Sequence, residues 1–264
     1  MTITIKDVLD KLKEPVPKIE NTVDMLITGY QDEYVKGIAT TFLATTNVIQ
    51  QAKKLGVNLL IIHEGLYYSH FDKTEKWQHD FIFLEKKNLI EQSKIAVFRL
   101  HDYIHKYKPD GITSGLIRIL NWESFVEKDD AAASILTLPA MSLREIVYYI
   151  KSKLNIPYVR VVGDLSLVCE RVGVSVGYRG GSEISIPFFH ETQLDLLISG
   201  EGPEWETPEY VRDAVQQGRK KALIFLGHAE SEKAGMEYLA QNIQSLFPNI
   251  PVHFIEEKPV FQIL

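Results

Sequence analysis

Cysteine is nearly absent from this sequence: Cys169 is the single one among 264 residues. One cysteine cannot form an internal disulfide, and it excludes the cysteine-rich ligand sets of zinc fingers. Cys169 follows the apolar stretch 165–168, so we expect a small buried side chain rather than a nucleophile. Any metal site in this chain must therefore be built from histidine, aspartate and glutamate.

Long hydrophobic runs and a basic excess are also lacking. No apolar run approaches the roughly 20 residues of a membrane-spanning helix, and the N-terminus lacks a signal-peptide pattern. The net charge is -6, with 29 Lys and Arg against 35 Asp and Glu, whereas nucleic-acid binding needs a basic surface. The compact basic run 219–221 is expected to be a solvated turn. The sequence thus predicts a soluble cytoplasmic protein that binds neither membranes nor nucleic acid.

Helix and strand patterns alternate along the chain, which predicts an α/β fold with a partly parallel sheet. Strands are predicted at 25–29, 37–44, 57–62, 95–100, 158–162, 171–178, 194–199, 222–226 and 252–255. Helices are predicted at 47–55, 74–92, 111–120, 142–154, 207–217 and 230–246. The acidic stretch 121–133 is expected to be a surface connection, and the segment before the strand at 194 is expected to be variable.

Local signals predict where three of these helices begin or end. Asn47 is expected to be an N-cap, since its side chain can accept from the first backbone N–H groups of the helix. Ser142 and Glu145 form a capping-box pattern. Gly218 is expected to end the helix that precedes it.

Three apolar strands are followed at once by side chains that can bind metal. They are His63 and Glu64, then His101, Asp102 and His105, and finally His228, Glu230 and Glu232. In open α/β sheets, ligand sites cluster beyond the carboxyl ends of the strands. Gly65 and Gly227 allow tight turns at two of these places. We therefore expect the three groups to converge on one site.

The spacing within two of these groups fits metal binding. His101 and His105 are four residues apart, as are His228 and Glu232. If each run is helical, this spacing places both members of a pair on one helix face. Imidazole and carboxylate ligands suit zinc, iron, manganese, nickel or cobalt. Each signal also has a simpler explanation: a buried, hydrogen-bonded histidine, or a carboxylate such as Glu232 or Glu230 that the helix dipole favours.

The chain resembles a known family, the GTP cyclohydrolase I type 2, or NGG-one-interacting-factor-three-like, di-metal proteins. The segment from Asn47 to Gly65 resembles the family's first metal motif, where two adjacent histidines follow a strand. RLHDYIH resembles the second, a histidine followed four residues later by an aspartate. DLLISGE and GHAESE resemble two further family motifs, Asp-x-x-x-Thr-Gly-Glu and Gly-His-x-x-x-Glu, and RVGVSVGYRGGSE resembles the glycine-rich strand and turn.

This chain departs from the family pattern at two positions. Glu64 stands where the second histidine of the pair is usual, and His105 stands where the aspartate is usual. Carried over position by position, the resemblance implies six metal ligands for two divalent ions: His63, Glu64, His101, His105, His228 and Glu232. Four histidines and two carboxylates are kept, so the total ligand charge is kept too. Which ligand bridges the metals, and whether Asp102 or Glu230 replaces one of them, stays open.

The resemblance also implies a two-lobed α/β fold with mixed sheets flanked by helices and the dinuclear site between the lobes. Lobe 1 is expected at about 1–125 and lobe 2 at about 140–255, without the inserted middle domain of some members. Assembly into a toroidal homohexamer is implied as well. Glu201 either orients a metal ligand or water, or caps the helix that starts near Thr207.

Two classes of function follow. The first is a metal-dependent hydrolase that uses a water activated by two metals on a small-molecule substrate, nucleotide-like or a phosphoester. The second is a metal-binding assembly or partner-binding protein without turnover. A nucleotide-binding role for the glycines of 177–181 is disfavoured, because the spacing is not that of a phosphate loop.

Overall fold

Three central strands of this protein, which is described from a computed structural model covering residues 2–264, are runs of four buried residues that are apolar except for Ser199. The segments LLII, LLIS and ALIF are buried throughout, as expected for parallel strands covered on both faces. The strands are β1 (Leu26–Thr28), β2 (Ile38–Thr41), β3 (Leu59–Ile62), β4 (Ala96–Arg99), β5 (Val126–Asp129), β6 (Ser134–Ser142), β7 (Arg160–Val162), β8 (Val168–Val174), β9 (Leu196–Ser199), β10 (Ala222–Phe225) and β11 (Val252–Phe254).

Helices connect most of these strands. They are α1 (Ile5–Lys13), α2 (Thr46–Leu55), α3 (Phe81–Ser93), α4 (Asp102–His105), α5 (Gly111–Ile119), α6 (Leu143–Leu154), α7 (Ser182–Glu191), α8 (Thr207–Gln216) and α9 (His228–Leu246), with a short 3-10 turn at Glu123–Phe125. No helix within residues 2–264 is both long enough and apolar enough to cross a membrane.

The chain divides into two units, each with its own sheet. Unit 1 comprises the described residues up to Tyr107 together with Met236–Lys258. Its sheet has the order β1-β4-β3-β2-β11, and all neighbours are parallel except β1 and β4. The core of this unit packs α2 and α3 side chains such as Val48, Ile49 and Ile90 against the sheet.

Unit 2 comprises Lys108–Gly235 and Pro259–Leu264. Its sheet has the order β5-β6-β8-β9-β10-β7 and is mixed, with β8, β9 and β10 parallel. Phe189 and Val211 pack with residues of β9 and β10 in its core. The mixed α/β architecture with two sheets is confirmed. The C-terminal strand β11 pairs in parallel with β2, so it joins the first unit and not the second lobe in which the sequence placed it.

Several helix boundaries differ from the predicted ones. The N-cap of α2 is Thr45, whose side chain accepts from Val48 N at 3.1 Å, so the prediction of Asn47 was wrong by two residues. The helix predicted over 74–92 begins only at Phe81, because Asp80 caps it by accepting from Phe83 N. The capping box of Ser142 and Glu145 is confirmed.

Two regions predicted to lack regular structure contain elements. The acidic connection 121–133 carries β5, which pairs with the long strand β6 at the edge of the second sheet. The segment before β9 forms α7, a helix with Pro187 inside it. Proline and β-branched residues obscure a helical pattern in a sequence, which explains why α7 was missed.

Candidate metal centre

Two neighbouring parallel strands of unit 1 deliver the first histidines to one place. Ile62 at the end of β3 is paired with Arg99 at the end of β4. His63 follows β3 directly and His101 follows β4 after one residue. Both side chains therefore emerge at the carboxyl edge of the sheet, where ligand sites form in this class of fold.

His63, His101 and His105 form a tight cluster. The rings of His63 and His101 stack with centroids 4.7 Å apart, and the His105 ring lies 5.0 Å from the first and 5.1 Å from the second. One ring nitrogen from each histidine lies within 4.8 Å of the other two. His63 is fully buried. The predicted pair four residues apart does share one face, because 102–105 is a helical turn.

Hydrogen bonds fix the orientation of the first two rings. Nδ1 of His63 lies 3.0 Å from the carbonyl oxygen of Leu100, and Nδ1 of His101 lies 2.9 Å from Oδ1 of Asp102. Each oxygen can only accept, so each Nδ1 carries the proton and donates. In the neutral form of both rings the lone pair is then on Nε2, which is the arrangement of histidines that ligate metals.

Asp102 is an orienting group for His101. Its other oxygen, Oδ2, accepts from Thr22 Oγ1 and Val23 N at 2.8 and 3.0 Å, so both carboxylate oxygens are engaged. Burial by itself would lower the pKa of His101, but its hydrogen bonds to Glu64 and Asp102 outweigh burial and raise that pKa above the ordinary value. Asp102 lies in none of the groups of possible metal ligands found among the described residues.

A buried carboxylate that the sequence did not indicate holds the turn that carries His101. Asp24 is 6% exposed. Its Oδ1 accepts from the backbone N–H groups of His101 and Asp102 at 2.9 and 2.7 Å, and its Oδ2 accepts from Tyr103 N at 3.0 Å. The first N–H groups of a helix lack partners within it. Asp24 satisfies three of them and so fixes the start of α4.

Glu64 lies beside a buried arginine and a histidine that sequence reasoning missed. Arg99 Nη2 donates to Glu64 Oε2 at 2.8 Å, and Oε1 of Glu64 lies 3.5 Å from His101 Nε2. His70, on the segment after β3, brings its Nδ1 to 3.4 Å from Glu64 Oε2. Glu64, His70 and His101 form a second group that could hold a metal ion. His70 follows no strand and has no partner at helical spacing, so no local signal marked it.

In unit 2, His228 and Glu232 meet as their spacing predicts. They lie in the first turns of α9, and His228 Nε2 is 3.2 Å from Glu232 Oε2. Nδ1 of His228 lies 2.9 Å from Oε1 of Glu201. Glu201 therefore occupies the place of a carboxylate that orients a histidine, while the N-cap residue of α8 is Glu206.

Gly177 makes room for the Glu232 carboxylate. Its φ of +60° suits glycine, and a Cβ at this position would overlap Glu232 Oε1 and lie 3.2 Å from His228 Nε2. The N–H of Gly177 donates to Ser231 Oγ at 2.9 Å. Glu232 is 2% exposed, so this close approach fixes the position of a buried acidic side chain. The glycine is thus part of the candidate site and not only a turn residue.

The donor set fits a divalent cation of the first transition series. Imidazole nitrogens and carboxylate oxygens dominate both units' candidate groups, and this combination suits zinc, iron, manganese, nickel and cobalt. Three of the histidines have Nδ1 held by an oxygen acceptor. Glu230, the competing carboxylate, is in none of the possible ligand groups found within residues 2–264; it folds back over Gly227.

Comparison with known proteins matches these observations to one family. Residues 4–259 match the family described as Duf34/NIF3 (NGG1p interacting factor 3). A "GTP cyclohydrolase 1 type 2 homolog" of Clostridium acetobutylicum is 24% identical over 92% of this chain and 91% of its own length. A protein of the same description from Clostridium perfringens is 25% identical over 78% of this chain and 77% of its own length.

A solved structure shares the fold at low identity. The crystal structure of a Bacillus cereus protein related to NIF3 aligns with a TM-score of 0.78, covering 100% of this chain and 99% of that one at 14% identity. The family match extends over nearly all of the residues described above. The resemblance seen in the sequence motifs is therefore confirmed, and this chain belongs to the Duf34/NIF3 family.

Proposed function

We propose that this protein is a metal-dependent hydrolase whose site holds two divalent ions. The proposed ligands are the six that the resemblance implies: His63, Glu64, His101, His105, His228 and Glu232. Glu201 is proposed to orient His228. The relatives named GTP cyclohydrolase 1 type 2 homolog make nucleotide-like compounds, together with phosphoesters, the substrate classes to test first.

One observation carries this proposal: three histidines share the same hydrogen-bonding pattern. His63, His101 and His228 each present Nδ1 to an oxygen acceptor at 2.9–3.0 Å. A buried histidine needs a hydrogen-bond partner for any ring N–H it carries, but that need does not require the same nitrogen, Nδ1, to face the acceptor in all three rings. For a metal ligand, the same contact fixes the ring and keeps the lone pair on Nε2.

Divalent ions in such a site supply Lewis acidity and lower the pKa of water. The chain's own contribution is to hold the donors in place. Asp24 fixes the turn that carries His101 and His105, and Asp102 holds the proton on His101 Nδ1. Burial of His63 and Glu232 excludes water from those donors, which strengthens their electrostatic interactions.

Metal content per chain is the first test. The full chain, purified without a histidine tag or chelator, is analysed by mass spectrometry for bound metals. We expect about two equivalents per chain, with clear losses in His63→Ala and Glu64→Ala. His79→Ala serves as the matched control, because His79 is exposed and belongs to none of the candidate groups found in the described part of the chain. One equivalent or none, unchanged on adding zinc, manganese or iron, contradicts a dinuclear site.

Turnover is tested on the loaded protein. Release of product from GTP and from p-nitrophenyl phosphate is followed for wild type, His63→Ala and His79→Ala. Activity that is lost in His63→Ala and kept in His79→Ala supports the hydrolase. Two tightly bound metals without turnover of any nucleotide or phosphoester favour the second function, a metal-binding assembly or partner-binding protein. The observation in favour of that alternative is the departure from the family pattern at Glu64 and His105.

We also propose that the protein assembles with itself, as a homohexamer according to the resemblance. Light scattering coupled to gel filtration measures the mass in solution. A mass six times the 30.2 kDa of the chain supports the hexamer, and a monomer mass contradicts it. Comparing metal-loaded with chelator-treated protein shows whether the assembly depends on the metal.

A further inference from the structure

Arg99 is a buried charged residue at the end of strand β4. It is 1% exposed, and a guanidinium stays charged at any pH a protein meets. A buried charge is stable only when it is paired and hydrogen-bonded. The hydrogen-bond partners of Arg99 therefore indicate its role.

The guanidinium connects three parts of unit 1 close to the candidate metal ligands. Its Nε donates to the His63 carbonyl oxygen at 3.1 Å, and its Nη1 donates to the carbonyl oxygen of His70. Its Nη2 donates to Glu64 Oε2 at 2.8 Å. The planar fork thus fixes the backbone at His63, the backbone at His70 and the carboxylate of Glu64 together.

The two carboxylate oxygens of Glu64 make different contacts. Oε2 accepts from Arg99 Nη2 and, at 3.2 Å, from the backbone N–H of Gly65. Oε1 lies on the side of His101, 3.5 Å from its Nε2. A carboxylate held in this way offers one oxygen toward the histidine cluster.

The pair also changes the charge of the site. Glu64 stands where the family resemblance expects a neutral histidine. Carboxylate and guanidinium together carry no net charge, and they present one donor atom, as an imidazole does. Arg99 thus compensates the charge of Glu64 locally at this position, while the count of two carboxylates among the six proposed ligands is unchanged.

We propose that Arg99 is a positioning residue that makes Glu64 a one-oxygen, charge-compensated metal ligand in place of the family's histidine. This inference rests on the proposed metal site. It predicts that residues 64 and 99 work as a matched pair: either change alone damages metal binding, and the two changes together damage it less.

The test is a double-mutant cycle on zinc binding. Wild type, Glu64→His, Arg99→Met and the double variant are titrated with zinc in competition with a chromophoric chelator. Each single variant should bind zinc about 10- to 100-fold more weakly, because Glu64→His leaves the guanidinium without its carboxylate and Arg99→Met leaves Glu64 without its anchor. The double variant should bind more tightly than either single variant.

Independent effects would instead multiply, and a double variant weaker than both singles would overturn the proposal. So would a Glu64→His variant that binds zinc as tightly as wild type. If wild type itself binds no zinc, the proposed function fails. If wild type binds zinc but positions 64 and 99 show no coupling, only the role proposed for Arg99 fails.

Two further measurements separate positioning from folding. Urea unfolding of the metal-free variants shows whether each is folded, and the absorption spectrum of cobalt-loaded protein reports the ligand geometry. If Arg99→Met does not fold, Arg99→Lys replaces it, because lysine keeps the charge but cannot form the planar fork. We expect Arg99→Lys to bind zinc about tenfold more weakly with a changed cobalt spectrum. An unchanged affinity and spectrum would overturn the proposal.

Discussion

Replacing Gly177 by alanine tests whether the position of Glu232 matters for metal binding rather than for folding. The residue has a φ of +60°, and an added Cβ would overlap Glu232 Oε1. Gly218 is a matched control, since its φ is +73° and an added Cβ there would meet nothing within 4 Å. Both glycines therefore carry the same backbone cost when changed to alanine, and they differ in what the new methyl group meets.

The backbone cost can be stated in advance. A left-handed conformation costs a residue with a Cβ about 1–2 kcal/mol, so both variants should lose about that much unfolding free energy. The overlap at Gly177 is with the end of the Glu232 side chain, so rotation of that side chain relieves it. Because Glu232 is 2% exposed, we expect Gly177→Ala to lose somewhat more unfolding free energy than Gly218→Ala. The same rotation moves the carboxylate away from His228 Nε2, now 3.2 Å from Glu232 Oε2.

Zinc binding should therefore distinguish the two variants. Gly177→Ala is expected to bind zinc about 10- to 100-fold more weakly than wild type, as for other changes that displace a ligand, and Gly218→Ala is expected to bind like wild type. Urea unfolding and chelator competition measure the two quantities on the same samples. Equal zinc affinities for the two variants, or a Gly177→Ala loss fully explained by unfolding, would refute the reasoning.

Three further predictions concern other positions. Burial lowers the pKa of Lys86 from 10.5 to about 8, so between these pH values the unfolded state binds more protons than the folded one and wild-type stability should rise with pH. Relative to Lys86→Met, the unfolding free energy of wild type should rise by about 3 kcal/mol. The same difference between the two proteins in urea unfolding at pH 7 and at pH 10 would contradict this. Asp102→Asn should weaken zinc binding about 10-fold or more, because His101 Nδ1 loses its carboxylate partner; unchanged chelator competition would exclude that role. Thr45→Ala should cost about 1 kcal/mol in urea unfolding and more than Asn47→Ala, and the reverse order would restore Asn47 as the cap.

The sequence by itself determined the elements whose signals are local. Buried, nearly continuous apolar runs predicted the central strands β3, β9 and β10, because burial on both faces of a parallel sheet favours apolar residues at successive positions. The capping box at Ser142 is complete within four residues and was read correctly. The histidines His63, His101 and His228 were found because they lie within three residues of the ends of β3, β4 and β10. Spacing of four residues likewise predicted that His228 and Glu232 meet.

Only the tertiary structure decided which residues surround these histidines. Asp24 reaches the turn at His101 from 77 residues away in sequence, and Arg99 reaches Glu64 from 35 residues away. No local pattern marks either residue, since the sheet creates these contacts by setting strand ends side by side. Gly177 read as an ordinary turn glycine until the packing placed Glu232 against it. The ends of strands are local properties, whereas the partners that fix a ligand's orientation depend on which strands are neighbours.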